Sequence, residues 1–176
     1  MMVQNLSAAP ISYGVRLASQ KDLPALEWNG EYTHFRRMYA DVYQLVEKGD
    51  ALIWIAESPA VGLIGQLFVS LKSGRSELSD GKTRAYIYAF RVKPAYRGRG
   101  VGSRLMAVVE MDLLRRGYSC ATLNVAQENI DARRLYERLG YYVTGADPGR
   151  WSYVDEKGQR REVHEPAWRM KKDLKR

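Results

Sequence analysis

Val92-Lys93-Pro94-Ala95-Tyr96-Arg97-Gly98-Arg99-Gly100-Val101-Gly102-Ser103 joins a strand-like run to a helix-like one. Three glycines alternate with basic and small residues at the junction. Glycine lets the backbone approach a ligand closely, and a helix N-terminus supplies unpaired N–H groups and a positive dipole end. The arginines add charge-assisted hydrogen bonds. Together these make a backbone-amide cradle for phosphate. Two common phosphate loops do not fit. A Walker A loop ends in Gly-Lys-Ser/Thr, whereas Gly102 is followed by Ser103-Arg104. A dinucleotide fingerprint needs G-x-G-x-x-G. Counted from Gly98 its last position falls on Ser103, and from Gly100 on Leu105. What remains is Arg97-x-x-Gly100-x-Gly102.

Outward from the loop, Arg84–Val92 reads as a strand and Gly100–Arg116 as a helix with apolar Val101, Leu105, Val108, Val109, Leu113 and Leu114, stopped by Gly117. Tyr118–Val125 is a strand, and Asn129 caps a helix that runs through Arg138 and closes at Gly140. Upstream, Tyr13–Ala18 alternates as a first strand, and Ser19 opens a short helix over Asp22–Trp28, with Pro24 in its first turn. From Glu31 to Lys48 the apolar residues Tyr32, Phe35, Tyr39, Val42 and Val46 recur at helical spacing. Ala51–Ala56 and Val61–Leu71 are strands, the second able to bulge at Gly62 and Gly65, and Lys72–Lys82 is a polar loop. Tyr141–Thr144 begins another strand, and Arg150–Val154 with Glu162–Met170 reads as a hairpin. The order β-α-α-β-β-β-α-β-α-β-β implies an α/β (α+β) domain, a mixed sheet with helices on both faces.

The loop and its approach, Phe90-Arg91-Val92-Lys93-Pro94-Ala95-Tyr96, resemble the pyrophosphate-binding loop of the GNAT (Gcn5-related) N-acetyltransferases. A second stretch carries the same resemblance: Asn124-Val-Ala-Gln-Glu-Asn129-Ile-Asp-Ala132-Arg-Arg-Leu-Tyr136-Glu-Arg-Leu-Gly140-Tyr141. The resemblance covers nearly the whole chain. It implies a single GNAT domain over residues 1–176, with residues 1–10 as a loose leader and 141–170 as a C-terminal hairpin region. It implies two splayed central strands with the pantetheine arm of acetyl-CoA between them. Phe90, Arg91 and Val92 would then face the arm with their main chains. Arg97, Gly98, Arg99, Gly100, Val101, Gly102 and Ser103 would hold the pyrophosphate. Asn124, Asn129, Ala132 and Tyr136 would meet the cofactor, and Arg133 or Arg138 the outer phosphates.

The reaction this implies has physical requirements. An acceptor amine must lose a proton, a developing oxyanion needs an N–H such as that of Val92, and a leaving thiolate needs a proton. Tyr136 matches the position that commonly serves as that acid. The strand Arg84–Val92 carries no carboxylate, so the base stays open between Glu57, Glu31 and a water relay through Tyr86 or Tyr88. Trp28, Tyr32 and Tyr88 are the residues expected to touch the acceptor, with Phe35 and Tyr39 on the same wall and Trp151, Tyr153 and Trp168 on another. The missing strand carboxylate keeps a non-catalytic acyl-CoA-binding module as the alternative.

Composition bounds the rest. The chain has 176 residues, one cysteine and a net charge of +8. That length suits one domain. Cys120 alone excludes a disulfide framework and reads as a buried thiol. No apolar run reaches the length of a membrane span and no signal-peptide pattern opens the chain, so a cytoplasmic protein is expected. The positive charge suits a polyanionic ligand such as coenzyme A. Nucleic acid is not expected, since no helix-turn-helix, zinc or RNP-like pattern is present. His34 and His164 are too isolated for a metal site. The basic end, Arg169–Arg176, reads as a solvated terminus. A homodimer is open, with no heptad or other interface signal.

Overall fold

The computed structural model describes residues 9–175. The leader expected over residues 1–10 therefore lies largely outside the described residues. Strands β1 (Gly14–Leu17), β2 (Ala51–Ser58), β3 (Gly62–Ser70), β4 (Arg84–Val92), β5 (Cys120–Ala126), β6 (Tyr142–Asp147) and β9 (Ala167–Asp173) form one sheet in the order β1-β2-β3-β4-β5-β9-β6. β7 (Arg150–Val154) and β8 (Arg160–His164) form a separate hairpin. Helices α1 (Arg36–Glu47), α2 (Val101–Arg115) and α3 (Ile130–Arg138) complete the domain.

The nearly continuous apolar runs of β2 and β3 are buried on both faces, as strands covered on two sides must be. On one face Leu52, Trp54, Leu67 and Val69 pack against Leu105, Met106, Val109 and Leu113 of α2. On the other, Ala51, Ile53, Ile55 and Phe68 pack against Leu26, Phe35, Tyr39 and Val42. The helical spacing read between Tyr32 and Val46 thus does face the core. The α-helix, however, begins only at Arg36: Gln20–Gly30 and Thr33–Phe35 are 3₁₀ turns. The break lies at Trp28 and Asn29, which both adopt positive φ and turn the chain sharply.

The C-terminal third departs most from the sequence reading. Glu162–Met170 is not one hairpin strand. It divides at Glu165-Pro166, where proline cannot donate to a ladder, into β8 and β9. β9 then inserts between β5 and β6, antiparallel to both. The basic end is therefore an internal strand as far as Asp173 rather than a solvated tail. Its charges are used: Lys172 bonds Glu110 at 2.6 Å and Arg169 bonds Asp147 at 2.8 Å. The loop after β3 is also less open than its composition suggests, with Leu78 and Ser79 buried and Thr122 Oγ1 donating to the Leu78 carbonyl at 2.7 Å.

Asp147 holds two segments together. Its nearly inaccessible carboxylate accepts from Arg75 at 2.7 Å, Arg169 at 2.8 Å and the Gly149 amide at 2.9 Å. Burial alone would raise its pKa, but these donors outweigh burial and hold it well below the ordinary 3.8. A depressed carboxylate stabilises the fold fully above that ordinary value, and loses this as pH falls toward the lowered one. Asp147→Asn should therefore lower stability at pH 7 by about 1.5–3 kcal/mol. Chemical denaturation of wild type and variant at pH 7 and pH 3 checks this, with the difference shrinking at the lower pH.

Candidate active site

The parallel pair β4 and β5 is in register only from Arg84↔Cys120 to Ile87↔Leu123. Beyond that point β4 pairs only with β3, and β5 only with β9. The cause is local. The β3–β4 register shifts between Gln66↔Arg91 and Phe68↔Tyr88, which places one extra residue in β4, and Ala89 there takes a φ of 48°. Such a bulge twists and bends its strand. The result is a wedge-shaped gap with the unpaired edge of β4 on one side and Asn124–Ala126 on the other. Asn124 alternates with the core residues Leu123 and Val125, and its buried Oδ1 has no hydrogen-bond partner.

The glycine loop stands at the open end of this gap, where β4 ends at Val92. Gly98 (φ 71°) and Gly100 (φ 80°) adopt the left-handed conformation that the turn into α2 requires. Gly100 is the N-cap of this 15-residue helix and offers no side-chain cap, so first-turn N–H groups remain for a ligand. Gly102 has a different role. A Cβ there would stand 3.0 Å from Phe90 Cζ, so its bareness lets α2 lie against β4.

Several predicted contacts are placed differently from expectation. Arg97 Nε donates to the Val92 carbonyl at 2.8 Å, so its side chain ties loop to strand. Val101 is buried, leaving only its backbone for a ligand. Asn129 Oδ1 accepts from the Ala132 N–H at 3.1 Å, so both groups are engaged in capping α3. Arg133 is paired with Glu137 at 2.9 Å. Arg99 and Ser103 are exposed around the helix start. Tyr136, on α3, is buried beside Phe90 and Tyr141, at ring separations of 6.2 and 6.0 Å. Burial pushes its hydroxyl above the ordinary tyrosine pKa.

The α1 face of the bulge is the candidate acceptor cleft, with Tyr88 and Tyr86 as its floor, their rings parallel and 5.5 Å apart. Burial pushes both hydroxyls up, Tyr86 to about 12 with the nearby Asp147 charge assisting. One wall is aromatic. Trp28 meets Tyr32 edge-on at 5.1 Å, and Phe35 lies 4.9 Å from Tyr153 and 6.1 Å from Trp151. His34 packs in this cluster, 4.1 Å from Phe35, while His164 is exposed on β8. The predicted walls of Trp28, Tyr32, Phe35 and Tyr39 and of Trp151 and Tyr153 thus converge. Trp168 does not join them: it packs on the α2 face beneath Arg133.

Neither carboxylate considered as a base stands in the cleft floor. Glu57 ends β2, two strands from β4, and is bound to Arg16 at 2.9 Å. Glu31 is exposed in the turn before Thr33. The sequence reading missed Gln66 and gave Arg91 a main-chain role only. Gln66, fully buried on β3, accepts from Trp28 Nε1 at 3.0 Å. Arg91 sends its side chain into the aromatic wall. Gln66 had a signal, being the one polar side chain in Leu63–Val69; Arg91 had none beyond its place in the strand.

A mixed sheet parted at its parallel pair, with a glycine loop and an uncapped helix at the opening, defines an acyl-coenzyme-A type of binding fold. Comparison with known proteins agrees. The sequence profile of the acetyltransferase (GNAT) family matches residues 19–141, and the chain belongs to that family. The mycothiol acetyltransferase of Propionibacterium freudenreichii is 31% identical over 85 residues, covering 48% of this chain and 26% of that protein. The chain spans about a quarter of the length of the curated relatives it matches. Among solved structures, Ard1 from Thermoplasma volcanium superposes with a TM-score of 0.72 at 19% identity, covering 94% of this chain and 100% of that one. NAA60 of Arabidopsis thaliana, solved in complex with acetyl-CoA, gives 0.70 at 22% identity, covering 93% and 99%. These likenesses establish the fold. Among the described residues no helix is long and apolar enough to cross a membrane.

Proposed function

We propose that the protein transfers the acetyl group of acetyl-CoA to a primary amine of a small molecule or peptide, by direct attack and without a covalent enzyme intermediate. The observation that carries this reading is the gap between β4 and β5, with the partnerless Asn124 Oδ1 on the β5 strand that borders it and the uncapped α2 start at its mouth. A pantetheine arm is an extended chain of amides. It needs an unpaired strand edge and a lone acceptor, and both are present. Acetyl-CoA supplies an activated acyl thioester when bound.

The chain's own residues supply the rest. The backbone of Phe90, Arg91 and Val92 orients the arm, and the Val92 N–H meets the developing oxyanion. First-turn N–H groups of α2, with Gly98, Arg99 and Ser103, bind the pyrophosphate. The Tyr136 hydroxyl holds its proton at neutral pH because burial raises its pKa, and so can deliver it to a leaving thiolate. Tyr86 and Tyr88 also stay protonated, which suits them to ordering water that carries off the amine proton rather than to acting as bases. Cys120 sits early in β5, raised in pKa by burial and away from the open end of the gap, where a thiol nucleophile would have to stand. A cytoplasmic location and a homodimer belong to the same proposal.

Calorimetric titration with acetyl-CoA, and with its 3′-dephospho form, tests the reading. We expect micromolar binding that weakens without the 3′-phosphate, followed by thiol release with amines. Absence of binding would overturn the cofactor assignment. Binding without turnover on a broad amine panel would favour a non-catalytic module.

A further inference from the structure

We infer that the acceptor amine carries a carboxylate, and that the Arg91 guanidinium binds it; the inference rests on the reading of the cleft as an acceptor site. Arg91 lies on β4 just past the bulge. Its guanidinium carbon stands 4.2 Å from the Tyr32 ring centre and 5.4 Å from that of Phe35. This aromatic seat orients the planar group by its face and leaves its N–H edge to be satisfied. Guanidinium has five N–H donors. Among the described residues Arg91 forms no ion pair, and its hydrogen bonding to protein amounts to a long 3.4 Å contact with Tyr39 Oη. Arg16, Arg36 and Arg161, by contrast, are each bound to carboxylates: Arg16 to Asp22 and Glu57, Arg36 to Glu27, Arg161 to Asp155.

The neighbours of Arg91 are also donors. Gln66 faces it across the β3–β4 ladder and is fully buried. Its Oε1 is occupied by Trp28, and its Nε2 has no partner. Across the floor, Asp147 is already shared by Arg75 and Arg169, and Arg169 Nε is itself unpartnered. Around Arg91 the face therefore presents half-buried positive charge and spare donors. A carboxylate finds a planar fork, which Arg matches with two parallel N–H···O bonds. Half-buried, that pair is screened less than one on the open surface.

The test compares the proteinogenic α-amino acids with their α-carboxamides and decarboxylated amines, with acetyl-CoA as donor and thiol release as readout. Wild type should prefer carboxylates by about 10–100-fold in kcat/KM, the range for a hydrogen bond to a charged group. Arg91→Gln should bring the ratio near unity, chiefly by raising KM for the acids. Arg91→Lys, a point charge without the fork, should fall between. Carboxamides or simple amines acetylated as well as acids by wild type would overturn the inference and leave the acetyltransferase reading intact. A preference that survives Arg91→Gln would also overturn it, as would acetyl-CoA binding with no amino acid acetylated. Failure to bind acetyl-CoA at all would remove both readings. The wild-type comparison decides the point even if Arg91→Gln folds poorly.

Discussion

Tyr136→Phe lowers turnover by a factor of about 10² to 10⁴, the usual contribution of a general acid, and leaves acetyl-CoA affinity nearly unchanged. The expectation follows from where the ring sits. Phe90 and Tyr141 pack around it, and phenylalanine keeps those contacts while deleting one oxygen. The described residues give that oxygen no hydrogen-bond partner, so its removal costs little stability. What is lost is a proton that burial keeps in place through neutral pH. The pH dependence follows. A group raised above the ordinary tyrosine value does not titrate between about pH 6 and 9. The rising limb of the rate should then report the acceptor amine, near pH 8 for an α-amine or above about 10 for a lysine-like one. Single-turnover thiol release across that range, for wild type and Tyr136→Phe, separates the two groups. Unchanged turnover in the variant would assign the proton to water instead.

The parts of this site that could be read in the sequence are those written by local rules. Glycines at 98, 100 and 102, a helix N-terminus behind them and an Asn129 cap all follow from neighbours along the chain, and all appear where expected. The strand β4 matches its expected bounds of Arg84–Val92. Errors gather where distant segments decide. Lys171 and Lys172 look solvated in sequence because nothing local shows that Asp173 and Glu110 await them. Trp168 and Trp151 are alike in sequence, yet β9 takes one to the α2 face and the hairpin takes the other to Phe35. Arg91 is the instructive case. Read as main chain alone it is a strand residue beside the cofactor. Only the bulge at Ala89 and the turn at Trp28-Asn29, both backbone irregularities with positive φ, bring its side chain onto Tyr32.

Gly102 carries the other large effect, and it separates steric from conformational roles within one loop. Its φ is unremarkable, so a side chain there breaks no backbone preference, and alanine would favour the helix by up to about 1 kcal/mol. Against that stands Phe90 Cζ at 3.0 Å from the new Cβ, with Val92 Cγ2 at 3.7 Å. Overpacking of this kind costs about 1–3 kcal/mol. Here the yielding part is the end of β4 that must present its backbone to the acyl-CoA arm. Gly102→Val should therefore weaken acetyl-CoA binding by about 10–100-fold, the same energy expressed as affinity. Gly98→Ala provides the contrast. Nothing lies within 4 Å of its Cβ, but its φ of 71° is strained for alanine. It should cost about 1–2 kcal/mol of loop conformation with no displacement of Phe90. The decisive measurement is second-site rescue. Phe90→Leu shortens the side chain that the introduced valine would strike, and should restore affinity in the Gly102→Val background while doing nothing for Gly98→Ala. Rescue of both, or of neither, would mean that Gly102 serves the turn rather than the packing of α2 on β4.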